Sequence, residues 1–181
     1  MNETQYSFFS RVLHWLMAGV FLYQIALGYL MQRADKPFKF ILYGRHKTLG
    51  LILLMLVVVR LINRLLTTVP SLANFPLWQK RAAKITHYSI YVMMVAIPLS
   101  GWLMSSYAGY HPRLPLLGVV ALPVDESKSL ADVLNKVHFL LNYGLLTLLL
   151  LHIAAVIYHS FVLKDKVLGR MAFFQGKGNK V

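Results

Sequence analysis

Four apolar runs, each long enough to cross a lipid bilayer, constrain this chain more than any other feature. A spanning helix needs roughly 20 mostly apolar residues. Such runs lie at about 9–31, 46–66, 84–106 and 136–162. Inside a bilayer every backbone N–H and C=O must find an internal partner, so segments of this length are read as helices. The chain is 57% hydrophobic and 14% charged, against about 25% charged for a soluble domain. Its charges lie almost wholly between the runs. The expected fold is therefore all-α: an integral membrane four-helix bundle, a single membrane domain over residues 1–181.

Composition closes several routes. The chain has no cysteine, which excludes disulfides, thiolate-ligated haem, cysteine-attached haem and cysteine-held iron–sulfur clusters. A net charge of +13 on a soluble protein would point to nucleic acid. On a membrane chain, Lys and Arg flanking the spans instead anchor helices to anionic lipid and set topology, so no nucleic-acid partner is expected. The first run is too long for a signal-peptide core, and Met31-Gln32-Arg33-Ala34-Asp35 lacks a small-x-small cleavage pattern; the first span is expected to remain in the mature protein.

The histidines carry the chemistry. Each run has one at or near its start: His14, His46, His87 and His138. The fourth run adds His152 and, at its far end, His159. Ionisable groups within a bilayer are costly and mark function, and neutral imidazole is a common axial ligand of haem iron. Antiparallel helices sort these residues by depth. His46 and His138 fall in an outer layer, and His14, His87, His152 and His159 in an inner one. His138 and His152 are fourteen residues apart, roughly 21 Å along a helix and nearly on one face. Two layers suit two haems b between the helices, each with one imidazole on either side. A haem-free metal transporter would add carboxylates within the spans, and none of the four runs has one.

Other residues join this pattern. Arg60 and Arg64 are one turn apart on one face of the second helix. They either snorkel to lipid phosphate or pair with a haem propionate. Pro98, in Ile97-Pro98-Leu99-Ser100-Gly101, is expected to kink the third helix, and Gly101 permits close packing. The apolar stretch Pro115–Leu122 is too short to span and is expected along the interface. Lys and Arg near span ends number eleven on the side of the termini, counting Lys177 and Lys180, and eight on the other. Both termini are thus expected in the cytoplasm. The first outer loop is unusual for that topology: it carries Arg33, Lys36, Lys39, Arg45 and Lys47 against one acid, Asp35. Such a rim attracts anions.

The motifs Arg11-Val12-Leu13-His14-Trp15, Arg45-His46-Lys47-Thr48-Leu49-Gly50, His87-Tyr88-Ser89-Ile90-Tyr91, Ile97-Pro98-Leu99-Ser100-Gly101-Trp102 and Leu151-His152-Ile153-Ala154-Ala155 occur in this order. With His138, His159 and Lys164-Asp165, this chain resembles the bacterial cytochrome b561 family of the inner membrane, over nearly its whole length. The resemblance implies two haems b. It pairs His14 with His152 at the cytoplasmic haem and His46 with His138 at the periplasmic one, and leaves His87 and His159 as quinone candidates. It further implies electron transfer between a periplasmic donor, superoxide in some members, and ubiquinone, an oxidoreductase activity of the superoxide:ubiquinone type. The alternative is a haem-bearing membrane subunit that anchors a dehydrogenase or hydrogenase. Short connections favour the self-contained protein.

Overall fold

The computed structural model describes residues 5–73 and 75–173; Lys177 and Lys180 of the basic tail lie outside the described residues. Four long helices dominate: α1 (Phe8–Arg33), α2 (Phe38–Leu66), α3 (Leu77–Tyr107) and α4 (Lys128–Ile157). All four are long and apolar enough to cross a membrane. α1 packs on α2, α2 on α3 and α3 on α4. Short connections make such neighbours antiparallel. α4 continues into a π-helical turn, Tyr158–Val162, closed by Leu163 N–H donating to the Tyr158 carbonyl at 3.1 Å.

The helices outrun the apolar stretches that announce them. α2 starts at Phe38, eight residues before His46, and α4 at Lys128, ten before His138. Hydropathy marks the lipid-buried part of a helix, whereas a cap marks its first turn. Ser127 caps α4 by accepting from the Leu130 N–H at 3.4 Å, and Ser7 caps α1 by accepting from the Ser10 N–H at 3.2 Å. The expected basic outer loop is consequently corrected. Arg33 ends α1, Lys36 lies in the short link, and Lys39, Arg45 and Lys47 ride on α2.

Within the stretch expected along the interface the backbone forms a β-hairpin, Arg113–Leu114 paired antiparallel with Gly118–Val119. Gly118 adopts φ +72°, a conformation glycine takes without a Cβ clash. The hairpin folds over the end of the bundle that carries His46 and His138, called outer after the expected topology. Thr48 Oγ1 donates to the Arg113 carbonyl at 2.6 Å, and Trp102 Nε1 to the Val120 carbonyl at 3.1 Å. At the opposite end the first and last described segments meet. Tyr6 N–H donates to the Arg170 carbonyl at 3.1 Å, Trp15 Nε1 to Met171 at 2.9 Å and Arg11 Nη1 to Ala172 at 2.9 Å.

The core is a thin apolar layer at mid-bundle: Met17, Phe21, Leu53, Val57, Ile97 and Leu145. Val57 and Leu145 are fully buried. Leu145 lies seven residues from both His138 and His152. The apolar layer therefore separates two histidine-bearing ends.

Candidate functional site: two imidazole pairs

At the outer end His46 from α2 and His138 from α4 face each other, ring centres 6.4 Å apart. At the inner end His14 from α1 and His152 from α4 do the same, also at 6.4 Å. His87 from α3 joins the inner group, 5.5 Å from His152. It is exposed, whereas the other four are half-buried. A metal–imidazole bond of about 2 Å, plus about 1 Å from each nitrogen to its ring centre, sets trans ligands of one metal about 6 Å apart. Both 6.4 Å pairs match this span.

The donor set narrows the occupant. Among the described residues no group of three or more His, Cys, Asp or Glu is placed to hold a bare metal ion. Two imidazoles facing one another suit a metal whose remaining ligands come from its own macrocycle. The outer pair borders a cavity of about 380 Å³, lined by Phe21, Met94, Pro98, Phe139 and Leu145 as well as Lys47, Tyr110 and Asp132. A mostly apolar pocket with few polar groups suits a large, flat cofactor.

Several residues hold His138. Its Nδ1 lies 3.0 Å from the Ile97 carbonyl and 3.0 Å from Ser100 Oγ. A carbonyl only accepts, so Nδ1 is the donor and Nε2 keeps its lone pair for a metal. A Cβ at residue 101 would stand 3.0 Å from His138 Cε1, so the ring needs Gly101. Sequence flagged Gly101 for packing; the ring it packs on becomes evident only in three dimensions. Gln24 of α1 donates through Nε2 to the His46 carbonyl at 3.0 Å. His46 Nδ1 and Gln24 Oε1 are buried without a hydrogen-bond partner.

The inner pair has different company. Arg60 Nη2 lies 3.2 Å from His14 Nδ1, while its Nε donates to Tyr91 OH and its Nη1 to the Ser10 carbonyl, both at 3.2 Å. Arg64 is elsewhere, its guanidinium 5.5 Å from the centre of the Tyr6 ring. His159 sits apart from both pairs, on the π-helical turn. Its Nδ1 is 2.5 Å from Asp165 Oδ2, and its ring centre is 5.9 Å from that of Phe75. Of the five basic outer residues, Lys47 lines the cavity. Arg33 stacks on Tyr29 at 3.6 Å and Lys36 lies 5.7 Å from the Phe40 ring.

Known proteins share this architecture in sequence. The chain is 28% identical over 177 residues to cytochrome b561 homolog 2 of Escherichia coli (strain K12), covering 92% of this chain and 90% of that one. It is 29% identical over 129 residues to cytochrome b561 homolog 1 of the same organism, covering 70% and 72%. Cytochrome b562 of Cereibacter sphaeroides matches at 26% over 176 residues, 94% of this chain and 96% of that one. The family model for prokaryotic cytochrome b561 matches residues 5–173. With four spanning helices and facing imidazoles, the chain belongs to the prokaryotic cytochrome b561 family, multi-pass membrane proteins of bacteria that transfer electrons through haem b.

Proposed function

We propose that this protein carries two haems b, one between His46 and His138 and one between His14 and His152, and conducts electrons across the inner membrane. The donor is a small anionic reductant of the superoxide class at the periplasmic face, and the acceptor is ubiquinone at the cytoplasmic face, where both termini lie. The observation that carries this reading is the pair of equal 6.4 Å imidazole separations at opposite ends of one bundle. Haem supplies the one-electron chemistry. The chain's residues fix its orientation, exclude water and shape the field around it.

At the outer face Lys47 lines the cavity, and Arg33, Lys36, Lys39 and Arg45 add positive charge at the end of α1, in the link and on α2. A positive rim raises the local concentration of an anion and acts on the association rate. At the inner face Arg60 stands against His14, and Arg64, one turn further out, is the candidate partner for a haem propionate. His159 lies on a π-helical turn, a distortion frequent at functional sites. Its Nδ1 donates to Asp165, and Nε2 offers a second N–H to a quinone carbonyl when His159 is the imidazolium partner of that carboxylate. His87, exposed beside His152, is a second quinone-side candidate.

Stopped-flow mixing with superoxide tests the outer half. Replacing several of Arg33, Lys36, Lys39, Arg45 and Lys47 by Gln is expected to slow haem reduction at low salt. The difference should shrink as the screening length falls to about 8 Å at physiological ionic strength. Reduction indifferent to salt and to these substitutions would argue for a neutral or protein donor. For the inner half, His159→Ala is expected to keep the full reduced spectrum while slowing reoxidation by a ubiquinone analogue. Haem loss in that variant would remove His159 from the quinone site and make it a ligand.

A further inference from the structure

We propose that the two haems fasten this bundle: an α1–α2 half and an α3–α4 half each hold together by their own packing, and ligation joins one half to the other. The inference rests on the two-haem reading and goes beyond it by giving the cofactor a part in assembling the four helices.

Each imidazole pair takes one ring from either half. His14 of α1 and His46 of α2 belong to the first, His152 and His138 of α4 to the second. Direct packing is divided the other way. α1 lies along α2 and α3 along α4, the α2–α3 contact is less extensive, and among the described residues no comparable packing joins α4 to α1 or to α2. The facing rings therefore bridge helices that scarcely touch. Within each half the contacts are specific. Gln24 of α1 donates to the His46 carbonyl at 3.0 Å, and a Cβ on Gly28 of α1 would stand 3.7 Å from His46 Cε1. Asn63 Nδ2 of α2 donates to Ser10 Oγ of α1 at 2.7 Å. In the second half Ile97, Ser100 and Gly101 of α3 hold the His138 ring, and the His87 ring of α3 lies 5.5 Å from that of His152. His46, His138 and His152 are thus braced from inside their own halves.

Contacts between the halves lie chiefly at the two ends of the bundle. At the outer end Thr48 Oγ1 donates to the Arg113 carbonyl at 2.6 Å and Lys47 Nζ to the Tyr110 carbonyl at 3.5 Å. At the inner end the carbonyls of residues 169–172 accept from Gln5, Tyr6, Trp15 and Arg11. Water competes for hydrogen bonds in such places and leaves each a small net gain. Arg60 Nε donates across to Tyr91 OH at 3.2 Å. The apolar layer of Met17, Phe21, Leu53, Val57, Ile97 and Leu145 also crosses the boundary. Lipid is as apolar as that layer, so burying it supplies little drive for one half to seek the other. A ligand set divided between two parts is completed only when they meet, which couples cofactor binding to assembly.

Cutting the full chain between the halves is the test. A protease site is inserted in the link 67–76, between α2 and α3; the purified protein is cut in detergent and captured through a tag on one fragment. Cut holoprotein is expected to retain both fragments and both haems. Cut protein from haem-starved cells, or carrying His14→Ala with His46→Ala, is expected to lose the untagged fragment. A site in the link 34–37, between α1 and α2, should leave the fragments together with or without haem. If that insertion prevents folding, a site at 120–126, between α3 and α4, takes its place. With two haems in the uncut protein, three results would each overturn this inference alone: halves that stay joined without haem, holoprotein that falls apart on the 67–76 cut, or fragments of the within-half cut that separate as readily without haem. One haem per chain by pyridine haemochrome assay would overturn the two-site reading and the inference with it.

Discussion

Replacing His138 by Ala is expected to halve the haem content, from two per chain to one, and to leave the bundle folded. The two imidazole pairs lie toward opposite ends of the bundle and share no residue. Along the helix, His138 and His152 are separated by roughly 21 Å, with Leu145 and its apolar neighbours between them. Loss at one end therefore has no direct route to the other. His46→Ala should give the same half-loaded protein, and His14→Ala or His152→Ala the complementary one. His87→Ala discriminates further, because its ring is nearer to His152 than His14 is, at 5.5 Å against 6.4 Å. Its exposure, and the match of the His14 separation to the outer pair, predict that His87→Ala keeps both haems. Haemochrome assays beside circular dichroism measure this directly. Loss of a haem in His87→Ala with retention in His14→Ala would reassign the inner ligand.

The spans and the histidine layers were legible in the sequence because they follow from one-dimensional rules. A bilayer demands about 20 apolar residues, and it penalises every ionisable group not put to use. Those grounds mark six histidines, His14, His46, His87, His138, His152 and His159; the choice of His14 and His152 within the inner layer came from the family resemblance. What escaped the sequence is what depends on neighbours distant along the chain. Nothing in the sequence says that the Ile97 carbonyl and Ser100 meet a ring 41 and 38 residues away. Arg60 and Arg64 look equivalent by spacing, yet Arg60 stands on His14 and Arg64 on Tyr6. The helix starts also escaped, because the first turns of α2 and α4 project beyond the apolar stretch and are chosen by caps and connections rather than by lipid. The hairpin at 113–119 was not legible either, for a related reason. Its apolar side chains suggested lipid, whereas its backbone pairs with itself and its carbonyls accept from Thr48 and Trp102.

Leu145→Asp is expected to prevent assembly of the loaded bundle altogether. Leu145 is fully buried, with 0% of its surface accessible. It packs with Met17, Phe21, Leu53, Val57 and Ile97, so three other helices lose contact with it at once. Moving an aspartate to mid-membrane costs about 2.5–3.5 kcal/mol even on the mildest scale, and among the described residues the layer is made of apolar side chains that cannot pair with it. Trimming the side chain instead, in Leu145→Ala, is gentler than in a soluble protein. Lipid is as apolar as the core, so little transfer free energy is lost. What remains is the cavity contribution, and a cost of about 1–3 kcal/mol is expected, toward the low end of soluble-protein values. Leu145→Met, which conserves volume, should cost under about 1.5 kcal/mol. Thermal unfolding in detergent, with haem absorbance read in parallel, ranks the three. Because the same layer braces α4 between its two histidines, Leu145→Asp should lose both haems together rather than one. A Leu145→Asp protein that purifies with both haems and wild-type thermal stability would mean that this layer neither sets the helix packing nor holds the two imidazole pairs in place.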